Sequence, residues 1–129
     1  MRAAGTFVNE SYDETSQGEF HGTSLGRILI TRTFGEGIEG SSTAELLTAR
    51  TADGSAGYVA FDRVQASFDG RAGAFVLQHW GVVAQEGGWV EAAIVPGSGT
   101  GSFEGIRGRG TISVDGDGTH RLELDYELA

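Results

Sequence analysis

Polar and apolar residues alternate along much of this chain with a period of two. The clearest case is RLELDYEL at 121–128. Leu122, Leu124, Tyr126 and Leu128 share one side, and Arg121, Glu123, Asp125 and Glu127 the other, as in a half-buried β-strand. The same reading predicts strands at 5–12, 25–34, 38–50, about 55–67, about 73–85, about 89–96, about 109–115 and 120–128. A polar loop, DETSQGEFHGTS, is expected at 13–24. A glycine-rich connection with one short helical turn is expected at 96–108. Asp53-Gly54, Asp69-Gly70, Gly87-Gly88 and Asp115-Gly116-Asp117-Gly118 mark tight reversals. Phe34, Phe68 and Phe103 recur at similar intervals, each followed by a G-x-x-G, which reads as one hairpin unit repeated. Eight sequential strands with hairpin-length loops predict an all-β, eight-stranded antiparallel up-and-down barrel, because closure removes exposed sheet edges. A barrel of this size is filled by side chains or encloses one small ligand in a central cavity. A β-sandwich is the competing architecture.

If the turns are tight, the stretch Tyr58–Val83 is a long hairpin in which Phe75 faces Ala66, Leu77 faces Val64 and His79 faces Asp62. A two-residue turn at Asp53-Gly54 sets Glu45 opposite Asp62 and Leu47 opposite Ala60. One face then collects Thr43, Glu45, Leu47, Tyr58, Asp62, Val64, Leu77, His79, Val83, Ala92 and Ile94. It is apolar except for the row Glu45–Asp62–His79, and it is expected to form the interior. Two carboxylates and an imidazole in an apolar lumen cannot all be charged cheaply. Such a row suits general acid–base work, or orientation of a polar ligand group. A self-satisfied structural network, or a solvated row on an inverted face, are the other readings of the same residues. Leu47, Tyr58, Val64, Phe75, Leu77, Ile94 and Tyr126 are the candidate ligand-lining positions. The opposite face carries an apolar centre of Leu46, Phe61, Trp80 and Val95. It is expected to be covered by another subunit in a homo-oligomer.

Composition narrows the partners. With 129 residues the chain is most simply one domain, 1–129. Its 22 glycines, far above the usual ~7%, fit many turns and bulges. Nine basic residues, all Arg, stand against 18 acidic ones, a net charge of −9. Such a surface repels phosphate backbones, so neither nucleic acid nor membrane is expected as a partner. No apolar run is long enough for a membrane span, and the start MRAAGTFVNES has no secretory core. The absence of cysteine fits a cytoplasmic protein. No cofactor is expected. PGSGTG and GIRGRG lack the lysine and helix of a phosphate loop. DGDG lacks the calcium-loop frame, and one His beside two acids is the reverse of a two-His facial triad.

The segments FGEGIEGSSTAELLTARTADGSAGYVAFDRV, FDGRAGAFVLQHWG and IVPGSGTGSFEGIRGRG, with the ending LDYEL, closely resemble a bacterial family known as domain of unknown function 3224. The resemblance covers nearly the whole chain. That family is similar in fold to allene oxide cyclase-like β-barrels, which implies a small lipocalin-like barrel with a central cavity. Carried over by position, the family's glutamate in the third strand matches Glu45 and its histidine matches His79. Its acidic position in the fourth strand, typically Glu, is Asp62 here. Related barrels include cyclases that hold a flexible substrate in a reactive conformer. The expected function is therefore binding of a small, largely apolar ligand, with a cyclase or isomerase activity served by Glu45, Asp62 and His79. A non-catalytic carrier or structural oligomer is the alternative.

Overall fold

The computed structural model describes residues 1–128, in which all regular structure is β-strand. The strands are β1 (Arg2–Phe20), β2 (Thr23–Gly35), β3 (Glu39–Arg50), β4 (Ala56–Phe68), β5 (Arg71–Ala84), β6 (Gly87–Ile94), β7 (Thr100–Gly101), β8 (Arg107–Val114) and β9 (His120–Glu127). They form one antiparallel sheet ordered β4-β3-β2-β1-β9-β8-β6-β5-β7, and a further β4–β5 pairing closes it into a ring. Among the described residues no helix is long and apolar enough to cross a membrane.

The turns set which side chains look inward. Phe68 pairs with Arg71, so Asp69 (φ +53°) and Gly70 (φ +73°) form a two-residue loop of the kind that matches strand twist. The Asp53-Gly54 reversal is longer. Arg50 pairs with Ala56, and the Asp53 carboxylate accepts hydrogen bonds from the Thr51 hydroxyl and the Ser55 N–H. This side-chain clamp spreads the turn over residues 51–55, an odd number. The expected register therefore slips by one, and every β3 side chain changes face. Ala44, not Glu45, stands opposite Asp62, while Glu45 stands opposite Phe61.

Two expected connections also differ. Residues 13–20 continue β1, which reverses at His21-Gly22 and pairs back along β2 as far as Phe20–Thr23. Their side chains are exposed throughout, so a strand held by its backbone ladder alone reads in sequence as a loop. The 96–108 connection contains β7 and tight turns rather than a helical turn. It carries Phe103 and Ile106, both fully buried, across one end of the ring. Phe103 stacks on Phe68 at 4.6 Å and meets Phe75 edge-on at 5.6 Å. Gly99 is obligatory beneath it, since a Cβ there would lie 1.9 Å from the Phe103 carbonyl oxygen.

The ring is therefore asymmetric. β1 pairs with β9 only from Arg2 to Phe7, and β6 pairs with β8 only from Glu91 to Ala93. One half is closed and plugged by the large core around Phe34, Phe68, Phe75, Phe103, Leu124 and Tyr126. In the other half β1–β6 continue as a curved sheet. Its inner face carries a second cluster, Ile28, Ile30, Ala44, Leu46 and Ala60, with Tyr58 packed against it.

Candidate functional site

Between the two apolar clusters lies one buried polar layer. RILITRTF in β2 alternates Ile28, Ile30, Arg32 and Phe34 inward, so an arginine is carried into the interior by the same period that buries its neighbours. Directly across β3 the inward positions are small, Ser42 and Ala44. Arg32 reaches over them to β4, where its NH1 donates to Asp62 Oδ2 at 2.7 Å. Its Nε donates to Asn9 Oδ1 at 3.2 Å, and its guanidinium sits 4.9 Å above the Phe7 ring.

Asp62 and His79 face Leu77 and Ala60 respectively, so they are diagonal rather than opposite. A two-residue slip relative to the expected hairpin keeps both on the inner face. His79 Nε2 lies 3.2 Å from Asp62 Oδ2, and its Nδ1 lies 2.8 Å from the Tyr58 hydroxyl. Asp62 is 1% exposed and His79 is 0% exposed, whereas Tyr58 is half-buried. The polar layer thus reaches toward solvent through Tyr58 on one side and exposed Asn9 on the other.

Burial pushes the Asp62 carboxyl upward, but the His79 hydrogen bond and the Arg32 charge outweigh it and hold the group below the ordinary range. Among the described residues both Ser42 Oγ and Asp62 Oδ1 lack a hydrogen-bond partner of normal geometry. Burial pushes the Tyr58 phenol up to about 12. The ring joins the two groups through opposite nitrogens, so the tautomer that donates Nε2–H to the carboxylate accepts the Tyr58 O–H at Nδ1. A hydroxyl, an imidazole and a carboxylate then lie in series, an order in which a base can activate a hydroxyl.

Glu45 does not join this row. It points outward and its carboxylate binds Arg27 Nε at 2.7 Å, which holds it below its usual range. Leu47 also faces outward and is 54% exposed. Both follow from the odd-numbered turn. Val64, Phe75, Leu77, Ile94 and Tyr126 face inward but are packed into the plugged core. Tyr126 donates to the Asp69 carboxylate, tying β9 to the β4–β5 turn, and burial followed by that bond raises its phenol. Of the outer apolar centre, Phe61 is 57% exposed, Trp80 and Val95 are half-buried, and Leu46 turns inward with the rest of β3. Among the described residues no three His, Asp or Glu side chains cluster to hold a metal. A recess of about 520 Å³ runs between Trp80, Arg109 and Glu123, away from the polar layer. One of about 510 Å³ between β3, β4 and β5 touches Ser42, and one of about 420 Å³, lined by Leu47, Val59, Val82 and Trp89, reaches Tyr58.

A family model described as protein of unknown function (DUF3224) matches residues 3–126. The chain belongs to this family. A crystal structure of a DUF3224 protein of unknown function from Shewanella oneidensis MR-1 is 34% identical, with a TM-score of 0.84. The similarity covers 100% of this chain and 97% of that one. No curated protein matches the chain. In this DUF3224 protein, the sequence pattern puts Asp62 and His79 on one inner face and reads Tyr58 only as a ligand-lining position, and it does not single out Arg32, Ser42 or Asn9. The signal for Arg32 was present in the phase of RILITRTF, where it alone interrupts an apolar face.

Proposed function

We propose that this DUF3224 protein is a β-barrel that binds a small, largely apolar molecule beside Tyr58, the half-buried outlet of the polar layer, above the packed cluster of Ile28, Ile30 and Leu46. The observation that carries this reading is the chain Tyr58–His79–Asp62, buried except at its phenol end. A ligand hydroxyl or carbonyl would meet Tyr58 first. In an isomerase or cyclase reaction, the Tyr58 oxygen takes a proton from the substrate as its own proton passes to His79 Nδ1. The imidazolium is stabilised by ionised Asp62, and the reverse transfer returns a proton to a different substrate atom. No net proton is consumed and no cofactor enters. The likeness to allene oxide cyclase-like barrels belongs to this reading as well.

Melting measurements with a panel of apolar hydroxy-, keto- and carboxylic acids test it. At least one class should raise Tm in the wild type and lose that effect in Tyr58→Phe. If no class raises Tm and His79→Ala is more stable than wild type, the reading fails. A second reading, a non-catalytic homo-oligomer, is favoured by a different surface. Leu47, Val59, Phe61, Val82 and Trp89 lie together on the outside and are 42–57% exposed. Phe61→Asp would then convert an oligomer to a monomer in sedimentation equilibrium, with no ligand involved.

A further inference from the structure

β1 is 19 residues long, but β9 covers only Arg2–Phe7 of it. From Ser11 to Phe20 it pairs with β2 alone among the described residues. One side of this segment therefore presents a row of backbone N–H and C=O groups to solvent, the kind of edge onto which another strand can be added. Bulges at Asn9/Ser11 and Ser16/Gly18 bound a regular stretch, Ser11–Ser16, long enough for a six-residue ladder. Along it Tyr12 is 55% exposed, and Val8 and Phe20, at either end, are 60% and 67% exposed.

Charge decides what fits. Glu10, Asp13, Glu14 and Glu19 line the segment, and no arginine occurs between Arg2 and Arg27. Arg50 engages Glu14 at 3.6 Å, while Glu10 and Glu19 have no ion-pair partner among the described residues. Pairing with the same edge of a second copy would set acid against acid. A cationic strand meets complementary charge at Asp13 within the stretch and at Glu10 and Glu19 flanking it, and apolar cover at Tyr12.

We propose that the free edge of β1 over Ser11–Ser16 accepts an extended, Lys/Arg-rich segment of a partner protein as an added antiparallel strand. The added strand would also wall the open side of the concave half, because β1 is the border of that half.

The test uses the whole protein and eight-residue fluorescent peptides of alternating basic and apolar residues. Binding is read by anisotropy, and amide exchange at Ser11–Ser16 is read in parallel. The basic peptide should bind at least tenfold more tightly than an acidic peptide of the same pattern and should slow exchange at those amides. N-methylation of alternate peptide residues should weaken binding at least tenfold, since it removes backbone donors without altering charge. The triple substitution Glu10→Gln, Asp13→Asn, Glu19→Gln, all at exposed positions, should weaken it several-fold. Absence of binding would overturn the proposal. So would equal binding by the N-methylated peptide, which would show unspecific charge attraction. Self-association through this edge, blocked by Asp13→Lys, would overturn it in favour of a second copy.

Discussion

Asp62 Oδ2 receives two donors at once, Arg32 NH1 at 2.7 Å and His79 Nε2 at 3.2 Å, from strands on either side of it. One buried oxygen thus holds together β2, β4 and β5, while Ala44 and Ser42 on the intervening strand are small enough to let Arg32 pass. Charge balance within the layer depends on that carboxylate. Removing one member of a buried pair leaves the other charge unsolvated, which is worse than having no pair at all.

Asp62→Ala should therefore destabilise the fold by about 3–5 kcal/mol, measured by urea denaturation at pH 7. The pH dependence has a definite sign. The folded pKa of Asp62 lies below its ordinary value of 3.8, so folding favours the ionised form. Its contribution is complete above the unfolded pKa and is lost as pH falls through the folded one. The stability gap between wild type and Asp62→Asn should stay constant from about pH 7 to 5 and shrink below about 4. A gap that widens on acidification would contradict the assignment.

Tyr58 gives the opposite limb. Its phenol is raised from 10 to about 12 by burial, so the fold disfavours the phenolate. The associated stability is complete below about pH 10 and falls as pH rises toward 12. Ultraviolet titration should show late ionisation of both Tyr58 and Tyr126, and Tyr58→Phe should remove one tyrosine's share of it. The same variant should flatten the alkaline loss of stability.

How much of this was legible before the structure depends on turn chemistry more than on the strands themselves. Alternation placed the strands well, because Leu122, Leu124 and Tyr126, or Phe75, Leu77 and His79, repeat at period two over a buried face. The β4–β5 turn at Asp69-Gly70, and the β5–β6 turn at Gln85-Glu86 rather than at Gly87-Gly88, shift the neighbouring registers by even numbers, so Asp62 and His79 keep their common face. Asp53 did not behave alike. Its carboxylate caps Ser55 and bonds Thr51, choosing a five-residue loop over a two-residue one. Nothing in the dipeptide Asp-Gly separates those outcomes, and the choice moved Glu45 out and Leu46 in. Closure of only half the ring was not legible either, since it depends on where β9 ends relative to β1.

The outward position of Glu45 has a direct consequence. Its ion pair with Arg27 is exposed, and such pairs contribute little. Glu45→Gln should leave stability nearly unchanged and leave the His79 imidazole resonances unmoved in NMR spectra. Asp62→Asn should shift them. A Glu45→Gln variant that perturbs His79 as strongly as Asp62→Asn would restore the three-residue row.

The plugged end makes the last prediction. Gly99 lies under the segment that brings Phe103 onto Phe68, and an added methyl would meet Phe103 O at 1.9 Å, Phe103 C at 2.9 Å and Ile106 Cγ2 at 2.8 Å. Two of those three contacts are backbone and cannot rotate away, so Gly99→Ala must lift the plug or bend the strand beneath it. Overpacking of a dense core costs about 1–3 kcal/mol, and displacing Phe103 would also lose its stacking on Phe68. Thermal unfolding should register the loss as a Tm lower by several degrees. Gly116→Ala, where nothing lies within 4 Å, should leave Tm nearly unchanged. Equal effects at the two positions would show that the 96–108 connection does not pack as a plug.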